Sequence, residues 1–170
     1  FLRSAVPQVL RLIEAFRDAG RPVIYLAHVV KRDYSDAQFP YWRLGLPRTG
    51  GRSFIVEGTW GARLVDEIKP LDDEPLVIKK GFGGFSNTPL DGMLRARGVT
   101  SCVIAGVTTC VCVSTTVREA VAHDYPVVLV GDAVADRSPA AHEAELKTLA
   151  RVFADVRTTD EVIAMLRGAA

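Results

Sequence analysis

The strongest constraint on this chain is the order in which its apolar segments change period. Residues 22–28, 75–79, 102–106 and 126–130 are short, almost unbroken apolar runs, and helical-period segments lie among them. A run that is apolar on both alternating sides is a strand covered on both faces, which places it in a parallel sheet between helices. The fold this predicts is α/β: a three-layer α/β/α sandwich with a mostly parallel, doubly wound sheet. All of 1–170 reads as one domain, with no repeat or linker. Residues 154–158 add a short last strand.

The helical segments carry their own punctuation. Ser4 can cap a first helix bearing Val6, Val9, Leu10, Ile13 and Phe16, with Gly20 as its stop. Thr59 opens a short helix to residue 68. Thr88-Pro89-Leu90-Asp91 combines an N-cap, a first-turn proline and a capping-box acid, and that helix ends at Gly98. Residues 111–124 present Val113, Val117, Ala120 and Val121 on one face. Ser138-Pro139 begins another helix, and residues 160–167 close the chain. The stretch 31–58 has no clean period and reads as a loop, either a lid over a site or a surface excursion.

Charge narrows the function classes. Twenty-one Lys and Arg against 20 Asp and Glu give a net charge of +1, which excludes an electrostatic binder of nucleic acid or of an anionic membrane. No apolar run is long enough to span a bilayer. Three cysteines, two of them one residue apart, do not make a secreted disulfide framework. The expectation is a soluble cytoplasmic protein without a cofactor.

Open α/β sheets bind ligands outside the carboxyl ends of their strands. Three segments fall there: His28 and beyond, residues 79–85, and residues 106–112. In Gly106-Val-Thr-Thr-Cys-Val-Cys112 a strand runs into a helix. A thiol there faces backbone N–H groups at the positive end of a helix, which favours thiolate and can hold an oxyanion. Position does not separate Cys110 from Cys112, and either could equally be a small buried hydrophobe; Cys102, in mid-strand, reads as core. Lys79 and Lys80 end a buried strand before Gly81-Phe-Gly-Gly84. A lysine beside a thiol stabilises thiolate and then the tetrahedral oxyanion, although at least one of the two should simply mark where the strand reaches water.

Taken together, Lys79-Lys-Gly-Phe-Gly-Gly-Phe85-Ser-Asn-Thr-Pro-Leu90 and Gly106-Val-Thr-Thr-Cys-Val-Cys112-Val resemble the isochorismatase-like cysteine hydrolases. Ser114-Thr-Thr-Val-Arg-Glu-Ala120, Asp124-Tyr-Pro-Val and Asp132-Ala continue the pattern. The resemblance implies a lysine six positions before a phenylalanine, which selects Lys79 through Phe85. It also implies a nucleophile in Gly-x-x-Thr-x-x-Cys-Val, which selects Cys112 and leaves Cys110 at a variable position. A cis peptide at Val107–Thr108 is implied as well, with the N–H groups of Thr108 and Cys112 as the oxyanion hole. His28, Phe82 and Phe85 are candidates to contact substrate.

The implied reaction is hydrolysis of a C–N bond in a small amide, carbamoyl or ureido compound through a thioester. Within the family, Trp60, Thr88-Pro-Leu-Asp91 and the glycine-rich loop look most like ureidoacrylate amidohydrolases, and 108–116 also looks like biuret hydrolases. The resemblance further implies an aspartate at the end of a first strand. No matching segment occurs in 1–170, so it is expected upstream of Phe1, and a homo-oligomer is expected. Three alternatives stand beside this reading: a non-catalytic binder of ligand or partner, a nicotinamidase-like amidase, and a redox pair of Cys110 and Cys112. With His28 distant from His123 and His142, no metal site is expected.

Overall fold

The computed structural model describes residues 2–38 and 55–168. Five parallel strands carry the architecture: β1 (Tyr25–His28), β2 (Leu76–Lys79), β3 (Cys102–Val107), β4 (Val127–Ala135) and β5 (Asp155–Arg157). They form two hydrogen-bonded groups, β1-β2 and β3-β4-β5, and every pairing is parallel. Among the described residues, five α-helices surround them: α1 (Val6–Asp18), α2 (Leu90–Ala96), α3 (Ser114–Ala122), α4 (Pro139–Val152) and α5 (Thr159–Gly168).

Period-two alternation along β4 builds the three layers. Val127 and Leu129 point into one core with Leu94, Val113, Val117, Ala120 and Leu149, beneath α2, α3 and α4. Val128 and Val130 point the other way, to Leu12, Phe16, Val162 and Leu166 of α1 and α5. Ile24 and Leu26 pack against the first of these cores. Alternation along the strand then sends the His28 side chain to that same side, and the register pairs His28 with Lys79. Arg17 fastens α1 to the approach of β2: its guanidinium donates two 2.7 Å bonds to Glu74, whose carboxylate also accepts from Tyr25 Oη at 3.0 Å.

Several element boundaries differ from the sequence expectation. Ser4 is not the N-cap: residues Leu2–Ala5 form a 3-10 turn, and α1 starts at Val6 with Ala5 in the N-cap position. The segment 59–68 holds only a 3-10 turn at Trp60–Ala62, and Trp60 itself is exposed. Thr88 does act at the start of α2, accepting the Leu90 N–H at 3.2 Å, but Asp91 turns outward to Arg95 and to the Tyr125 hydroxyl instead of closing a capping box. Ser138 caps α4 as expected. Strand β4 continues five residues past the expected end. Asp132 is tolerated within it because its carboxylate accepts from the Thr159 N–H and hydroxyl at 2.8 and 2.9 Å. Of the loop 31–58, residues 39–54 lie outside the described residues. No described helix is long and apolar enough to cross a membrane.

Candidate active site

The site gathers at the carboxyl ends of β2 and β3. At the end of β2, alternation separates the two lysines. Lys79 turns inward, with 4% of its surface exposed, whereas Lys80 turns away and pairs with Asp36 at 2.7 Å. The Lys79 ammonium donates to the carbonyls of Gly81 and Phe82 at 2.9 and 2.6 Å, and it lies close enough to Cys112 for the two charges to interact. Burial lowers its pKa, and Cys112 and Glu119 pull it partly back up.

Two glycines let the loop after Lys79 lie flat against its neighbours. A Cβ on Gly84 would stand 2.8 Å from Leu26 Cδ1 and 2.9 Å from Thr116 Cγ2, and one on Gly83 would collide with the Glu119 carboxylate. Both are places where the backbone itself must make the contact.

At the end of β3 the chain passes a cis peptide at Val107–Thr108 and winds through a π-helical turn, Thr109–Val113, into α3. Thr108 O accepts from the N–H groups of Val111 and Val113 at 3.2 and 3.1 Å. Thr109 is fully buried, its hydroxyl 2.9 Å from His142 Nδ1. Cys112 therefore sits, half-buried, where a strand becomes a helix.

The other two thiols are poorer candidates. Cys110 gives both its N–H and its S–H to Asp136 Oδ2, at 2.9 and 2.8 Å. Desolvation and then that acid push its thiol up to about 11. Against the opposing pull of burial, the bonds from Cys110 and from the Arg137 N–H hold Asp136 below the usual carboxylate range. Cys102 is also pushed up to about 11, by burial alone.

The remaining sequence candidates divide. His28 stands beside Lys79 in the sheet, and its ring meets that of Phe82 edge-on at 5.9 Å. Burial, and then the Lys79 charge, lower its pKa to about 4, so it is neutral at physiological pH. Phe82 is half-buried on the lysine loop. Phe85 corrects the expectation of a substrate-facing ring: it is a core residue, stacked on His123 at 4.9 Å and packed against Tyr125. Its contribution to the site is its backbone N–H, which donates to Glu119 at 2.8 Å. The aspartate expected upstream of Phe1 corresponds to no described residue. Among the described residues no three His, Cys, Asp or Glu side chains are grouped to hold a metal ion.

Sequence reasoning passed over two acids, Glu119 and Asp136. The signal for Glu119 was present: it lies seven residues after Cys112, two helical turns on and so on the same face. Asp136 carried no comparable signal, because β4 was expected to end at Val130.

The chain matches the isochorismatase domain family over residues 2–161. It belongs to that family of isochorismatase-like cysteine hydrolases. A ureidoacrylate amidohydrolase of Rhizobium rhizogenes is 30% identical over 99% of this chain and 73% of its own length. A probable inactive nicotinamidase of Arabidopsis thaliana is 34% identical over 94% of this chain and 81% of its own. Among solved structures, a cysteine hydrolase from Pseudomonas syringae superposes with a TM-score of 0.89 at 31% identity, covering 99% of this chain and 83% of that one. The N-carbamoylsarcosine amidase of Thermoplasma acidophilum does so with 0.79 at 30%, covering 94% and 84%. The isochorismatase fold thus accounts for the parallel strands and for helices on both faces.

Proposed function

We propose that this isochorismatase-family protein is a cysteine amidohydrolase that cleaves the C–N bond of a small amide, carbamoyl or ureido compound. The observation that carries this reading is the buried Lys79 ammonium, steered by two carbonyls into reach of the Cys112 thiol at a helix start. Two relatives named for amide and ureido hydrolysis support the substrate class.

In this reading Lys79 stabilises the Cys112 thiolate, and Sγ attacks the substrate carbonyl carbon. The carbonyl π electrons move onto oxygen, which accepts from the N–H groups of Thr108 and Cys112. As the oxyanion collapses, the C–N bond breaks, its nitrogen takes a proton, and ammonia or an amine leaves a thioester on Cys112. Water then cleaves the C–S bond, releasing the acid and restoring the thiol. The acid/base partner is an aspartate outside the described residues. His28 and Phe82 border the substrate.

A relative named as a probable inactive nicotinamidase favours one second reading, a ligand-binding protein without turnover. Ammonia release from ureidoacrylate-like compounds, biuret, N-carbamoyl acids and nicotinamide, measured for the wild type and Cys112→Ala, separates the two. The expected result is release from a carbamoyl or ureido compound by the wild type and none by folded Cys112→Ala. Full release by folded Cys112→Ala contradicts the thioester route. Ligand binding with no release by either protein favours the second reading.

A further inference from the structure

Glu119 is the one carboxylate whose charge acts on Lys79 among the described residues, yet it is not within its hydrogen bonds. It projects from α3, the helix that continues the Cys112 turn, toward the loop that follows β2. There it accepts from the Phe85 N–H at 2.8 Å, the Ser86 N–H at 3.4 Å and the Ser86 hydroxyl at 2.5 Å. Gly83 lies so close to the same carboxylate that no side chain fits between them. The loop pinned in this way is the one whose Gly81 and Phe82 carbonyls receive the Lys79 ammonium.

Topology makes that contact matter. Lys79 belongs to the β1-β2 group and Cys112 follows β3 in the other group, with no strand pairing between the groups among the described residues. Among the described residues, hydrogen bonds within either group cannot by themselves set the distance from ammonium to thiol. A charged acceptor on the helix that carries Cys112, bonded to the backbone that carries the lysine's acceptors, can.

We propose that Glu119 is a positioning residue: it braces the Lys79 loop to α3 and so holds the Lys79 ammonium against Cys112. The proposal rests on the reading of Lys79 and Cys112 as the reacting pair. Three charged groups then meet in one place, the Lys79 ammonium flanked by the Cys112 thiolate and the Glu119 carboxylate. His28 stands by as a neutral neighbour, while Lys80 is occupied by Asp36.

The test reads the thiolate directly, without a substrate. The rate of iodoacetamide alkylation at Cys112, assigned by fragment-ion mass spectrometry, is measured against pH in the intact protein. The proteins compared are the wild type, Glu119→Gln, Glu119→Asp, Lys79→Met and the double variant Glu119→Gln/Lys79→Met, with circular dichroism and a melting curve for each. Glu119→Gln is expected to slow alkylation at neutral pH by about tenfold and to raise its pH midpoint by about one unit. Lys79→Met should do at least as much, and the double variant no more than Lys79→Met.

Glu119→Asp, which keeps the charge but not the volume, should lie nearer the wild type than the isosteric Glu119→Gln; a volume-filling role would reverse that order. Should Glu119→Gln fail to fold, Glu119→Asp against the wild type still decides. Its shortened reach should slow alkylation by about threefold if the brace sets the geometry, and a wild-type profile from it overturns the proposal. An unchanged profile in folded Glu119→Gln, beside a shifted one in Lys79→Met, overturns the brace alone. An unchanged profile in folded Lys79→Met overturns the reacting pair beneath it.

Discussion

The two ends of the site are held in opposite ways. The cysteine end is fixed within its own strand group: a π-helical turn bonded to Thr108 O is met by His142 of α4, against the buried Thr109, and by Asp136, just past β4, which holds Cys110. The lysine end is fixed remotely. Its loop is glycine-rich, and its contacts at Gly83, Gly84, Phe85 and Ser86 are made by Glu119, Thr116 and Leu26 from other elements. The nucleophile's geometry therefore belongs to its own strand group, whereas the lysine's depends on the packing of α3 against the loop after β2. Changes that disturb this packing should act on the pair without touching either reacting residue.

The largest effect expected from this contrast comes from Gly83→Ala. The added methyl must displace the Glu119 carboxylate or lift the loop. Turnover and Cys112 alkylation are both expected to fall by about tenfold, the scale of a brace lost from a positioned group. A stopped-flow or discontinuous alkylation assay checks this, and a wild-type rate in folded Gly83→Ala would erase the contrast.

A smaller effect is expected from acid. His28 has a folded pKa near 4 against an ordinary 6.5, with burial and then the Lys79 charge as causes. On acidification the unfolded state takes up that proton first. The stability contributed by neutral His28 is thus complete above pH 6.5 and is lost as pH falls toward 4. Melting curves across that window should show a decline in the wild type that is shallower in His28→Gln. A decline of equal slope in both would remove the lysine end as its source.

How much of this was legible depended on whether the determinant was local. Alternation at 126–130 gave the two faces of β4 because each side chain's destination follows from its neighbour's. The Lys79/Lys80 doublet could not be divided by spacing, because it takes the inward face of β2, seen only in the fold, to bury Lys79 and leave Lys80 to pair with Asp36. Phe85 read as a site aromatic because a strand-end ring can turn either way; stacking on His123, distant in sequence, decided it for the core. The extension of β4 through Asp132 was hidden for the same reason, since the Thr159 groups that satisfy that carboxylate lie on another helix. Glu119 was written in a recognised run, but its task depends on a loop that precedes it by more than thirty residues.

The central claim is that Cys112, not Cys110, is the activated thiol. Competitive alkylation of the intact, folded protein at neutral pH with limiting iodoacetamide, followed by fragment-ion assignment of Cys102, Cys110 and Cys112, tests it most directly. Cys112 is expected to be modified at least about tenfold faster than the exposed Cys110, whose thiol is tied to Asp136 and pushed up to about 11. Modification of Cys110 as fast as or faster than Cys112 would contradict it.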